Sequence, residues 1–167
     1  MSAKRRATVS AVLIVKDEEA VLEESLRSVA WADEVVVYDT GSTDRTVEIA
    51  RAHATTVVEG YWDDDFGAAR SRALAHATSE WALAVDADEI AVVDADRLRR
   101  ELAACTADIG NVIVVNVGDR PRLPLEPPGE LEIFRFAGSR LLRRETCHWV
   151  GALHEQPRLR PEVTGRP

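Results

Sequence analysis

Trp81-Ala82-Leu83-Ala84-Val85-Asp86-Ala87-Asp88-Glu89 is a short apolar run that ends abruptly in carboxylates. Its length and composition predict a buried strand over 81–85, with the acids in the loop at the strand's carboxyl end. In an extended segment residues i and i+2 point to the same side. Asp86 and Asp88 are therefore expected to converge on one divalent cation. Mg²⁺ and Mn²⁺ suit such oxygen ligands, taking one or two carboxylates and completing the shell with water and substrate phosphates. A solvated acidic loop is the alternative, and Asp-x-Asp alone does not decide between them.

The same strand-then-polar-edge pattern recurs on the N-terminal side. Residues 8–15 read as a buried strand, and 17–30 as a helix with Val21, Leu22, Leu26 and Val29 at helical spacing and an acidic first turn. Residues 33–38 repeat the strand, Asp39-Thr40-Gly41-Ser42 makes a turn, and Ser42 or Thr43 is expected to cap a helix running through 46–50. A third strand over 55–59 leads through Tyr61-Trp62-Asp63-Asp64-Asp65-Phe66 into a helix over 67–77, ahead of the strand at Trp81. This alternation predicts an α/β fold, a doubly wound and mainly parallel sheet.

On the C-terminal side Asp94 is expected to cap a helix reaching Ala104, followed by a β-branched strand over 111–117. The pattern then changes. Residues 120–129 hold Pro121, Pro124, Pro127 and Pro128 and read as a loop, with strand-like segments at 131–136 and 140–143 forming a short antiparallel portion. The expected organisation is an N-terminal flexible tail over 1–7, one domain over 8–157, and a C-terminal tail over 158–167.

The chain has 167 residues, 46% hydrophobic and 30% charged, as in an ordinary globular domain. The apolar stretches are too short to span a membrane and the N-terminus lacks the apolar core of a secretory signal, so the expected compartment is the cytosol. Cys105 and Cys147 form no Cys-x-x-Cys pair, which favours reduced thiols over a zinc site. Residues 1–110 carry 12 basic and 22 acidic side chains, against 9 and 7 over 111–167. A nucleic-acid partner is thereby disfavoured. Arg135, Arg140, Arg143 and Arg144 form a small basic patch, read as solvated strand faces rather than an anion site.

In an open α/β sheet ligands bind beyond the carboxyl ends of the strands. Here those ends carry Lys16-Asp17-Glu18, Asp39-Thr40-Gly41 and Asp86-Ala87-Asp88. The first turn has no Gly-x-Gly-x-x-Gly and is acidic, which argues against a Rossmann dehydrogenase's dinucleotide pyrophosphate there and leaves a metal to neutralise any bound phosphate. Asp39 can accept from a ribose or a base N–H, or simply shape its turn. Arg70, among small residues of its helix, can reach phosphate or base, or lie on the surface. His154-Glu155 is no zinc-protease motif, since Arg158 stands where the second histidine would be.

Residues 9–19, Tyr38-Asp39-Thr40-Gly41-Ser42-Thr43-Asp44, residues 66–74, Asp86-Ala87-Asp88-Glu89, residues 140–144 and His148-Trp149-Val150-Gly151-Ala152-Leu153-His154-Glu155, in that order, resemble family 2 glycosyltransferases of the GT-A fold. The nearest likeness is to the branch that contains lipopolysaccharide-core glucosyltransferases and some peptide glycosyltransferases. The resemblance implies a metal-dependent, inverting transfer from a nucleoside-diphosphate sugar, a UDP-sugar by expectation, to a glycan, lipid-linked sugar or peptide acceptor. It places Val15, Lys16, Glu18, Asp39, Arg70 and Asp86 at the nucleotide, and Asp86, Asp88 and His154 on Mn²⁺ or Mg²⁺. Glu155 is the candidate base, with Glu89 as rival. Asp17 and Ser71 depart from the family pattern, where asparagine is more usual, and many relatives continue past Glu155 with helices that help bind acceptor. A role in cell-envelope polysaccharide assembly at the inner face of the membrane would follow. The alternatives are a sugar-phosphate nucleotidyltransferase, whose basic glycine-rich loop is missing, and a noncatalytic nucleotide-sugar-binding protein.

Overall fold

The computed structural model describes residues 5–118 and 131–164. The expected proline loop over 120–129 lies outside them. Six strands form one sheet: β1 (Val9–Val15), β2 (Glu34–Asp39), β3 (Thr56–Glu59), β4 (Trp81–Ala84), β5 (Ile109–Gly118) and β6 (Leu131–Arg143), in the order β3-β2-β1-β4-β6-β5. The first four are parallel, whereas β6 runs antiparallel to both β4 and β5. The expected mainly parallel α/β architecture is therefore present. The two segments expected at 131–136 and 140–143 are one strand of 13 residues.

Alternation along the strands builds two cores. On one face Val9, Ala11, Leu13 and Val15 join Val35, Val37, Trp81 and Leu83 beneath helices α1 (Leu22–Ser28), α2 (Thr46–His53) and α4 (Ala95–Ala104), through Leu22, Leu26, Ala50 and Leu102. On the other, Val12, Val36, Tyr38, Ala82, Ala84 and Leu142 pack under Ala73 and Leu74 of helix α3 (Phe66–Ala75) and under Cys147 and Trp149. A strand covered on both faces can be apolar at every position, as β1 nearly is. Strands β7 (Cys147–Val150) and β8 (Gln156–Leu159) form a separate antiparallel pair, and α5 (Pro161–Thr164) follows.

The first helix is shorter than its periodicity predicts. Asp17 adopts φ +53°, and the amides of Asp17, Glu18 and Glu19 bond to Ser42 Oγ, Thr46 Oγ1 and Asp44 Oδ2. These amides are captured by side chains of the β2–α2 loop and of the first residue of α2, and regular helix begins at Leu22 after one turn closed by the Leu22 amide on the Glu18 carbonyl at 3.0 Å. Ser42 and Thr43 do not cap α2. Both are engaged by Asp39 and Asp17, and Asp44 Oδ1 instead accepts the Thr46 amide at 2.9 Å. Asp94 caps α4 as expected, accepting the Arg97 amide at 2.9 Å.

The expected tails are in part structured. Ala7 is fully buried and its amide bonds to the Arg99 carbonyl, while Arg5 and Arg6 pair with Glu80 and Asp96. Arg158 and Leu159 belong to β8, so ordered chain runs past residue 157.

Candidate active site

The carboxyl ends of β1, β2 and β4 lie side by side, with Val15 opposite Asp39 in register. Val15 is buried, and Lys16 beside it is exposed. Asp39, also buried, accepts from the amides of Gly41 and Ser42 at 3.0 Å each and from the Ser42 hydroxyl. It therefore shapes the turn in which Gly41 takes φ +113°, a conformation open to glycine. Asp17 Oδ1 accepts the Thr43 amide at 2.7 Å and laces this turn to the first loop.

Asp86 is held from two directions. Arg70 Nη2, on α3, lies 2.5 Å from Asp86 Oδ1, and Arg140 Nη2, on β6, lies 2.9 Å from Asp86 Oδ2. Arg70 Nε also donates to Glu155 Oε1 at 2.6 Å, and its guanidinium carbon sits 5.4 Å from the Trp149 ring. Arg70 is thus no surface arginine: its side chain is 7% exposed. Burial pushes the Asp86 carboxyl up, but the Arg70 charge and the Arg140 hydrogen bond outweigh it and leave it below the ordinary carboxylate range.

Glu89 is caught differently. Its Oε2 accepts the Asp86 amide at 2.9 Å, and Oε1 lies 3.3 Å from Arg140. Burial, reinforced by the negative charges of Asp86 and Asp88, raises its carboxyl above the usual value. Glu18 is raised too, by burial first and then by Asp88, Asp44 and Asp17. That the Asp88 charge acts on Glu18 means that the loops after β1 and β4 lie near one another, with their carboxylates in mutual repulsion.

The expected ligand set of Asp86, Asp88 and His154 is not assembled. Among the described residues no group of three or more His, Cys, Asp or Glu side chains is placed to hold a metal ion. The physical reason is local: β4 ends at Ala84, and the Glu89 amide bonds back to the Asp86 carbonyl at 3.1 Å. Asp86 and Asp88 therefore stand in a turn, where the two-residue alternation of a strand no longer applies. Asp86 faces Arg70 and Arg140, whereas Asp88 is exposed and its carboxylate forms no ion pair or hydrogen bond among the described residues. His154 is exposed at φ +54°.

Two features went unread in the sequence. Arg140 was expected on a solvated strand face, yet its side chain is only 17% exposed and binds two site carboxylates. The clue was the period of two: Arg140 shares a side of β6 with the core residue Leu142, so its charge had to find a partner indoors. Arg143 likewise is partnered, by Glu80 at 2.7 Å. The second feature is Ser71, which bonds both backbone groups of Trp149 and so docks the C-terminal hairpin on α3.

Residues 10–152 match the family model described as Glycosyl transferase family 2. The chain belongs to glycosyltransferase family 2. A TPR repeat-containing protein of Synechococcus elongatus is 45% identical over 98 residues, covering 58% of this chain and 24% of that protein. The SPbeta prophage-derived glycosyltransferase SunS of Bacillus subtilis is 36% identical over 86 residues, 50% of this chain and 20% of SunS. The chain spans about a quarter or less of the length of these two relatives. Among solved structures, S. aureus TarS 1–349 in complex with UDP aligns at 29% identity over 57% of this chain and 31% of that one, with TM-score 0.46. M. tuberculosis glucosyl-3-phosphoglycerate synthase with Mn²⁺, UDP and glucosyl-3-phosphoglycerate aligns at 31% identity over 48% and 33%, with TM-score 0.43.

Proposed function

We propose that this family 2 glycosyltransferase chain transfers a sugar, with inversion, from a nucleoside-diphosphate donor to an acceptor hydroxyl or other nucleophile. The observation that carries this is the convergence of Asp86, Arg70 and Glu155, from three separate elements, at the carboxyl edge of the parallel strands. Asp39 and Val15 would face the nucleoside, with Lys16 and Glu18 in the loop alongside. Arg70 would steady the diphosphate.

The donor set suits Mg²⁺ or Mn²⁺ in a limited way. Such ions need only one or two protein carboxylates when substrate phosphates complete the shell. Asp88, exposed and unpaired, would hold the ion, with Glu18 beside it. Bound there, the ion would supply positive charge against the departing diphosphate. Asp86 is committed to two arginines, and His154 is left as a solvent-facing residue at the rim.

As the acceptor oxygen attacks the anomeric carbon, the bond from that carbon to the phosphate oxygen breaks and the diphosphate leaves with the electron pair. Glu155 Oε1 faces Arg70, leaving Oε2 to take the acceptor proton. Glu89, with its raised carboxyl, is the rival base. Among the described residues no helix is long and apolar enough to cross a membrane. Glycans, lipid-linked sugars and peptides all offer the required nucleophile.

The Glu155–Arg70 pair at 2.6 Å favours a second reading, donor binding without transfer, because one carboxylate oxygen is already held by the guanidinium and is not open to an acceptor. Family membership gives no support to a nucleotidyltransferase. A panel of nucleotide sugars with Mn²⁺, followed by thermal shift and by nucleoside diphosphate release, tests both. Shift with release supports transfer or donor hydrolysis, and shift without release supports binding alone. Neither signal with any donor overturns the proposal.

A further inference from the structure

Pro157 lies opposite Trp149 in the β7–β8 pair and has no amide to donate. The backbone groups of Trp149 instead meet α3. Ser71 Oγ donates to the Trp149 carbonyl at 3.1 Å and accepts its amide at 3.0 Å, so one hydroxyl satisfies both groups.

The same helix carries the chain that follows. The amides of Phe66 and Gly67, free of intrahelical partners in the first turn, donate to the carbonyls of Ala152 and Gly151 at 3.1 Å each. A Cβ on Gly67 would stand 2.8 Å from the Gly151 oxygen, so this approach needs glycine. Gly151 at φ +104° and His154 at φ +54° then turn the loop, and Glu155 arrives on Arg70, the neighbour of Ser71. Among the described residues no ladder joins β7–β8 to the six-stranded sheet.

We propose that Ser71 is a positioning residue. By gripping both backbone groups of Trp149 it fixes the 151–155 loop on α3 and sets Glu155 against Arg70, so that the guanidinium is oriented for the donor diphosphate. This rests on the donor site proposed above.

The test is a double-mutant cycle on UDP affinity at fixed Mn²⁺, measured by calorimetry, with Ser71→Ala, Ser71→Thr, Glu155→Ala and the Ser71→Ala/Glu155→Ala pair. Losing a hydrogen-bonded clamp should weaken UDP about fivefold in Ser71→Ala, while Ser71→Thr, which keeps the hydroxyl, stays within about twofold. In the Glu155→Ala background Ser71→Ala should add nothing, because the group it positions is gone. An equal loss in both backgrounds, or no loss with Glu155 present, overturns the proposal.

Amide exchange in the ligand-free protein supplies a readout that does not depend on the donor. In Ser71→Ala the Phe66 and Gly67 amides should exchange at least about tenfold faster while those of β1 keep their rates. Unchanged exchange sinks the clamp itself. If the wild-type protein binds no UDP but exchange rises, the donor site fails while the link from Ser71 to the loop stands, and orientation for a diphosphate is withdrawn.

Discussion

The Arg70 guanidinium on helix α3 and the Asp86 carboxylate in the loop after β4 meet at 2.5 Å. A carboxylate that sequence alone would give to a metal is instead the hinge of a protein-internal network, with Arg140 on its other oxygen and Glu155 on the far side of Arg70.

That network gives Asp86 a signature in acid. Its carboxyl is lowered in the folded protein, and an unfolded aspartate titrates near 3.9. The stability it contributes is therefore fully present above about pH 5 and lost as pH falls through the lowered folded value. Asp86→Asn should unfold more easily than wild type in urea at pH 7, with the gap closing as the pH drops below about 4. A gap that stays constant with pH would contradict this assignment.

Glu89 should behave with the opposite sign. Its carboxyl is raised, so the folded state holds the proton longer than the unfolded state, and ionisation costs stability as pH rises from about 4.3 through the folded value. Glu89→Gln is expected to raise the thermal midpoint at pH 7 relative to wild type, and to give a smaller gain at pH 4. Scanning calorimetry at the two pH values measures the difference.

Gly67→Ala pits propensity against space. Alanine favours a helix over glycine by about 1 kcal/mol. The new Cβ, however, meets three backbone atoms of residues 150 and 151 at 2.8 to 3.1 Å, none of which can rotate away. Overpacking costs about 1–3 kcal/mol, so the clash should win and urea denaturation should show net destabilisation. A stabilised variant would mean that the 151–155 loop yields freely.

Asp88→Asn should leave stability within about 0.5 kcal/mol of wild type, as expected of an exposed side chain without hydrogen-bond or ion-pair partners among the described residues. UDP binding in the presence of Mn²⁺ should weaken at least about tenfold, and binding with chelator should not change. Calorimetry with and without metal separates the two. Identical Mn²⁺ dependence in the variant removes Asp88 from the site.

Glu155→Gln keeps an oxygen to accept from Arg70 Nε, so donor affinity should stay within about twofold. Transfer should fall by about 10²–10⁴-fold, since the amide cannot take the acceptor proton. Single-turnover transfer to a working acceptor decides it. Unchanged transfer passes the role to Glu89.

Alternation of strands and helices made the parallel half of the sheet legible, because β1, β2 and β4 must bury both faces and say so in continuous apolar runs. The edges were less legible. Helix α1 is shortened where the amides of residues 17–19 are taken by side chains from farther along the chain, and a local periodicity carries no record of Ser42, Asp44 or Thr46. The site divided the same way. Asp39, Arg70, Asp86 and Glu155 were picked out by position and by resemblance, but which of them would pair depended on the turn at residues 86–89 and on Arg140 arriving from β6.

Strand β4 is hydrogen-bonded to β1, laid down long before it, and to β6, completed long after. Neither edge of β4 can be closed by a neighbouring hairpin, so the chain must lose the entropy of two large loops before the central pairings reward it. Refolding is accordingly expected to be slow for a chain of this length. Until β6 docks, the Trp81–Ala84 edge is a place where another molecule's strand can pair instead.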